Sequence, residues 1–236
     1  MAKLIVIGSS SKGNAYAIKT ENSCLLIEAG ISVKAVKKAL DFDLTDIEGC
    51  LISHSHGDHS SKMKEYNKAG IICYGNDETM NGSNYQRVIK SKEKLILNEF
   101  VIMPFEVKHD VKCFGYFIKH PEIGKLIFIT DALFIPAKFV GVNHWLIEAN
   151  YSSVIMDEML ETEKITPAQA NRTILNHMSI ENCVSGLEKQ DLSDTLTITL
   201  LHLSDGNSDT QAFKSKIERS TGTPCNVADE GVIIEL

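Results

Sequence analysis

Four side chains that can ligate a metal fall within one short stretch, His54-Ser55-His56-Gly57-Asp58-His59. Imidazole and carboxylate ligands together suit Zn²⁺, and Mn²⁺ as well. Their spacing constrains the backbone. His54 and His56 share a side only if the chain is extended, because residues two apart lie on one face of a strand but on opposite sides of a helix. Asp58 and His59 are adjacent and converge only if the chain then turns. Gly57 is expected to supply the permissive residue for that turn. The apolar run Cys50-Leu51-Ile52-Ser53 reads as the strand leading in. Three of the eight histidines occupy this window, so a histidine-rich loop without chemistry is the weaker explanation.

Other groups of suitable chemistry stand where strand-like runs end. His109 follows residues 101–107, Asp131 follows 125–130, Glu148 follows 145–147, and His202 follows the β-branched run 195–201. An α/β scaffold that builds a site along one edge of its sheets places functional groups in this way. Upstream, residues 4–7 read as a strand and 8–14 as a tight polar loop able to offer backbone N–H groups to a phosphate. Residues 15–19 and 24–28 form an expected hairpin about Glu21-Asn22. Helices are expected over 33–40 with Ser32 as N-cap, over 61–68, from the capping box Thr166-Pro167-Ala168-Gln169, and from Ser179 to Leu187. A further capping box, Ser208-Asp209-Thr210-Gln211, should open a helix to about residue 220 with Phe213 and Ile217 inward. Residues 71–74, 95–97, 115–118 and 232–236 complete the strands. Residues 76–84 read as loop or short helix. His120 and His144 receive no chemical role.

With 236 residues, 43% hydrophobic and 23% charged, the chain has the composition of a globular protein able to bury a sizeable core. No repeat or long linker divides it, so one domain over 1–236 is expected. No apolar run approaches the length of a membrane span or a secretory leader, which implies a cytoplasmic protein without membrane contact. The six cysteines are scattered without a Cys-x-x-Cys pair. They read as small core residues rather than a disulfide framework. A net charge of −7 provides no general attraction for nucleic acid, whose binding rests largely on neutralised phosphates. Any polyanion must be held locally or by metal. The run Arg87, Lys90, Lys92 and Lys94 is diluted by Glu93 and reads chiefly as solvated surface.

The pattern His-x-His-x-Asp-His resembles the signature of the metallo-β-lactamase-fold hydrolases. That resemblance implies an α/β fold, the four-layer αβ/βα sandwich, and two divalent metal ions, Zn²⁺ first and Mn²⁺ second. It places His54, His56 and His109 on one metal and Asp58, His59 and His202 on the other. Asp131 would be shared, and Asp58 would also count among the catalytic groups. Trp145-Leu146-Ile147-Glu148-Ala149 and Asn176-His177-Met178-Ser179 resemble paired segments of RNase Z-type nucleases, which implies that His177 is a general acid oriented by Glu148.

The overall likeness is to YycJ/WalJ-type exonucleases. It is carried by residues 8–14, Leu25-Leu26-Ile27-Glu28-Ala29-Gly30-Ile31-Ser32, the histidine motif, Glu148-Ala149-Asn150, residues 177–182 and His202-Leu203-Ser204 with Asn207. The chain departs from that family at Tyr151-Ser152, where His-Asp is usual. The implied activity is nucleic-acid phosphodiester hydrolysis by metal-activated hydroxide, with Ser9, Ser10, Asn14, Ser204 and Asn207 as candidate substrate contacts. The alternative is a cyclic-nucleotide phosphodiesterase of the phage immune-evasion type. Another hydrolase of the fold, or a non-catalytic metal-binding protein, ranks lower. The expected partner is a nucleic acid or nucleotide, and a homodimer is allowed.

Overall fold

The unbroken apolar run Leu4-Ile5-Val6-Ile7 along the first strand already calls for two covered faces. In the computed structural model, which describes residues 1–204 and 206–236, two seven-stranded sheets answer that call. The first contains β1 (Lys3–Ser10), β2 (Gly13–Lys19), β3 (Cys24–Ile27), β4 (Ile47–Leu51), β5 (Cys73–Gly75) and β6 (Gln86–Val88). The second contains β7 (Leu95–Leu97), β8 (Phe100–Val107), β9 (Cys113–His120), β10 (Gly124–Ile129), β11 (His144–Glu148), β12 (Thr197–Leu201) and β13 (Cys225–Val227). The last strand, β14 (Ile233–Glu235), returns to pair with β1.

Leu4 and Val6 of β1 meet Tyr16, Ile18, Leu25 and Ile27 between the sheets, against Phe114, Tyr116, Leu126 and Phe128 from the second sheet. Ile5 and Ile7 point the other way, toward α1 (Val33–Ala39) and α3 (Met63–Lys68). The short helix α2 (Gly57–Ser60) lies between those two in sequence. On the second sheet, Trp145, Ile147, Ile198 and Leu200 face outward onto α6 (Ile180–Leu187) and α7 (Thr210–Thr221). The expected αβ/βα four-layer order results, because a strand of period two has one row of side chains for each neighbouring layer. Two more helices, α4 (Ser153–Glu161) and α5 (Pro167–Asn176), form a satellite cluster about Met156 and Ala170.

Several local expectations are met. Ser32 caps α1, Thr166 and Gln169 form a reciprocal capping box on α5, and Ser179 caps α6. Others are corrected. Most of residues 8–14 is not a loop: Gly8, Ser9 and Ser10 pair with Ala15, Asn14 and Gly13 across a β1–β2 hairpin. Composition there suggests a turn, but ladder pairing inside a sheet overrides local preference. The α7 cap is Asp209, whose carboxylate accepts from Ala212 N at 2.9 Å, while Ser208 Oγ donates to Ser204 O instead. The strand expected from residue 195 begins at Thr197, and α4, β6 and β13 were not anticipated. All six cysteines are buried and free. Among the described residues no helix is long and apolar enough to cross a membrane.

Strand direction determines what this scaffold can place together. β10, β11 and β12 run parallel. β8 runs the same way, being antiparallel to β9, which is antiparallel to β10. Their C-terminal ends therefore share one edge of the second sheet. The end of β4 is clamped to that edge across the sandwich, where Tyr116 Oη donates to Ile52 O at 2.6 Å and Phe114 N donates to Ser53 O at 3.0 Å.

Candidate metal centre

Beyond β4 the chain stays extended through His56 (φ −61°, ψ 150°) and then enters α2. His54 and His56 leave the extended part, while Asp58 and His59 lie in the first turn of that helix. Gly57 does not supply a special turn. It is the first helical residue, and a Cβ there would meet nothing within 4 Å. The glycine that matters is Gly30, where a Cβ would overlap the Asp58 carbonyl. Ala29 N donates to His59 O at 2.8 Å, so the β3 exit and the histidine turn are laid directly against each other.

Each of the other strand-end groups also arrives at this edge. Glu28, Asp131 and His202 all adopt left-handed backbone, with φ of 67°, 47° and 54°. For non-glycine residues this costs about 1–3 kcal/mol apiece and persists where the surroundings over-determine it. The residues concerned follow β3, β10 and β12, and all three side chains are buried.

His54, His56 and His109 each offer a ligand atom within 4.8 Å of the others, as do Asp58, His59 and His202. Asp131 joins His54 and His59 in a third such set. Its Oδ2 is 2.6 Å from His59 Nε2 and 3.6 Å from His54 Nε2, while Asp58 Oδ2 is 3.2 Å from His59 Nε2 and 3.3 Å from His202 Nε2. The carboxylate of Asp131 thus stands between the two histidine groups. All seven side chains singled out as ligands in the sequence are brought together.

The donor set fits divalent cations. His109 Nδ1 donates to the Asn176 carbonyl at 3.1 Å, since a carbonyl can only accept, so the neutral ring presents a bare Nε2 lone pair. That lone pair faces His56 Nδ1 at 3.3 Å. His54 Nε2 is buried without any hydrogen-bond partner, a costly state for a polar atom that nothing else compensates. Burial pushes the His54 imidazole down to about 2 and lowers His109, which keeps both neutral as ligands must be. Burial disfavours the charged forms of Asp58 and Asp131, but neighbouring imidazoles outweigh it. His202 and His59 together hold both carboxyls below their ordinary range.

His177 ends α5 and turns its Nδ1 onto Glu148 Oε1 at 2.6 Å. The other Glu148 oxygen accepts from Ala132 N at 3.0 Å and Met178 N at 3.2 Å, so the carboxylate is fixed by backbone on both sides. Burial alone would lower the His177 pKa. The Glu148 charge and the bonds to Asp131 and Glu148 raise it to about 10. The ring is 24% exposed and stands beside Asp131. A group with those properties can protonate a departing oxygen.

The candidate substrate contacts divide. Ser9, Ser10 and Ser204 line a cleft of about 370 Å³. Asn14 is fully buried, and its amide bonds Ser10 O at 3.1 Å and approaches Asp58, bracing the histidine turn. Asn207 Nδ2 donates to Ser204 Oγ at 3.2 Å. Tyr151, at the departure from the resembled family, forms a bridge to Ser179 and accepts Ile180 N at 2.8 Å through its carbonyl.

Two supporting residues received no role from the sequence. Glu28 accepts Ser53 N at 3.3 Å and lies 3.4 Å from His59 Nδ1, which otherwise has no partner. Asn150 donates to His202 O at 2.8 Å and contacts His202 Nδ1 at 3.1 Å. A lone carboxylate closing the apolar run before Ala29 was the available signal for Glu28.

Comparison with known proteins agrees with this fold. The family model described as the metallo-beta-lactamase superfamily matches residues 10–77. Exodeoxyribonuclease YycJ from Bacillus anthracis is 27% identical over 219 residues, 84% of this chain and 81% of the relative. Exodeoxyribonuclease WalJ from Streptococcus pneumoniae is 25% identical over 224 residues, 87% of this chain and 82% of the relative. Among solved structures, the metallo-beta-lactamase fold protein YhfI from Bacillus subtilis superimposes with a TM-score of 0.73 at 14% identity, covering all of both chains.

Proposed function

We propose, from the premise that this chain is a metal-dependent hydrolase of the metallo-β-lactamase fold, that it hydrolyses phosphodiester bonds of nucleic acid. His54, His56 and His109 would hold one divalent cation and Asp58, His59 and His202 the second, with Asp131 between them, Zn²⁺ being the first choice. Bound cations of this kind lower the pKa of water and neutralise charge on a phosphoryl oxygen. The chain's own residues supply the rest. His177 carries a proton at the imidazole and delivers it to the departing alkoxide, a poor leaving group otherwise. Glu148 fixes the His177 ring through Nδ1, so the proton available to substrate is the one on Nε2.

The observation that carries this reading is the 2.6 Å Glu148–His177 pair beside Asp131. Hydrolysis of a lactam or thioester has no need of such a pair. The curated relatives, both named exodeoxyribonucleases, favour a nucleic-acid chain over a cyclic nucleotide. The test is metal analysis of the purified protein followed by hydrolysis of bis(p-nitrophenyl) phosphate, single-stranded DNA, RNA and cyclic nucleotides. His59→Ala should abolish turnover. His177→Ala should keep its metal yet slow natural diesters by about 10²–10⁴-fold, and affect the p-nitrophenyl ester less, because that leaving group departs unaided. A folded, metal-loaded protein inert on every diester would overturn the reading.

A further inference from the structure

Two clefts are lined by residues that lie within a few positions along the chain of groups at the metal centre. The one reached through Ser9 and Ser204 carries Asp229 and Glu230 on its wall, which repel a polyanion. The other, about 440 Å³, lies between residues 134–138, which leave Asp131, and α6, which follows His177. Its lining includes Lys138 and Lys189 and, among the described residues, no acidic side chain. Neither lysine has an ion-pair partner among the described residues, in a chain whose net charge is −7. Phe134 stands at the rim with 51% of its surface exposed.

This cleft is preformed and tied to the centre. Leu133 N donates to the carbonyl of Lys108, next to His109, and Asn182 Nδ2 donates to Leu133 O at 3.4 Å. At the far end Gln190 accepts Phe139 N at 2.9 Å and donates to Ala137 O at 3.1 Å. Only Ala132 and Leu133 separate Phe134 from Asp131, so their Cα atoms are at most about 11 Å apart. Lys189 lies just beyond the C-terminal end of α6, and Asn182 in its first turn.

We propose that this cleft is a track that guides single-stranded nucleic acid to the metal centre, with Phe134 stacking on a base and Lys138 and Lys189 each neutralising a phosphate. An exposed aromatic ring beside unpaired cations is the arrangement that single strands recognise, because their bases are free to stack and their phosphates track the basic groove. The inference rests on the phosphodiesterase reading and deepens it. It names a polymer as substrate, since a cyclic nucleotide at the metals would not span the track.

The experiment uses the metal-loaded protein with fluorescent oligothymidylate and oligouridylate carrying cleavage-resistant phosphorothioate links. Fluorescence anisotropy is read over a salt series, beside kcat/KM on bis(p-nitrophenyl) phosphate and on a cyclic dinucleotide. Phe134→Ala should weaken oligonucleotide binding about five-fold or more. Lys138→Ala/Lys189→Ala should lower the slope of log affinity against log salt by about 1.4, at about 0.7 per lost contact. Both variants should keep wild-type activity on the small diester and the cyclic dinucleotide, and Lys90→Ala should change nothing. The stronger binder of the two strands identifies the sugar. Unchanged oligonucleotide binding in both variants overturns the track, as does an equal loss on the cyclic dinucleotide. A wild type that cleaves no diester would sink the catalytic reading alone, because anisotropy still reports on the cleft.

Discussion

Individual side chains around the centre are held by partners of unequal kind. His109 is oriented by a backbone carbonyl, His202 by the Asn150 amide, and His59 by the Glu28 carboxylate 3.4 Å from its Nδ1. Partners of this sort set which imidazole nitrogen is free and in what direction, and losing one typically costs 10- to 100-fold in metal affinity. Glu28→Ala should therefore weaken metal binding by about that factor, measured by competition with a chelating dye. Its fold should survive, since Leu25, Leu26 and Ile27 still fill the cores on both faces of β3. Metal affinity at the wild-type level would mean that His59 needs no such support.

At the scale of elements, β11 and β12 lead to Glu148 and His202 at one end, and His144 stands at the other. His144 is buried at the start of β11, with Nδ1 2.8 Å from Thr197 Oγ1 on β12. Burial lowers its pKa to about 4, against about 6.5 in the unfolded chain. Between those values the unfolded state binds more protons, so stability rises with pH. The contribution is fully present above about pH 6.5 and is lost as pH falls through about 4. Urea unfolding of the chelated protein at a series of pH values should show this slope, approaching about 1.4 kcal/mol per pH unit from one residue. In His144→Gln the slope over that window should shrink by that amount. Parallel curves for the two proteins would show that the ring takes up its proton without opening the strand.

The whole molecule is two sheets whose separate edges meet at one cluster of like and unlike charges. Apolar packing fills the space between them, yet at the edge the buried His54 Nε2 lacks a hydrogen-bond partner. A ligand that binds only the folded state stabilises it by about 4 kcal/mol at a thousandfold excess over Kd. For a chain of this length that corresponds to about 8–16 °C in Tm. Removing metal with a chelator should lower Tm by this order in calorimetry, and zinc should restore it. His202→Ala should show a much smaller chelator effect than the wild type. A Tm indifferent to chelator and zinc would argue that the edge is held by protons alone.

The sequence determined by itself whatever depends on local pattern. The His54–His59 spacing, the apolar runs ending at His109, Asp131, Glu148 and His202, and the caps at Ser32, Thr166 and Ser179 were legible because each needs only neighbours along the chain. Only the tertiary structure decided that Gly8–Ser10 would be strand, since their partners lie across a hairpin ladder. It likewise decided that Gly30 rather than Gly57 is the essential glycine, because the obstacle is the carbonyl of Asp58, distant in sequence. Glu28 and Asn150 gained roles in the same way, through imidazoles delivered from other strands. The cleft beside Phe134 was hidden for that reason too: Lys138 and Lys189 are far apart in the chain and meet only because α6 packs against the segment leaving β10. Net charge sums over the whole surface, whereas binding responds to the few charges a fold gathers in one place.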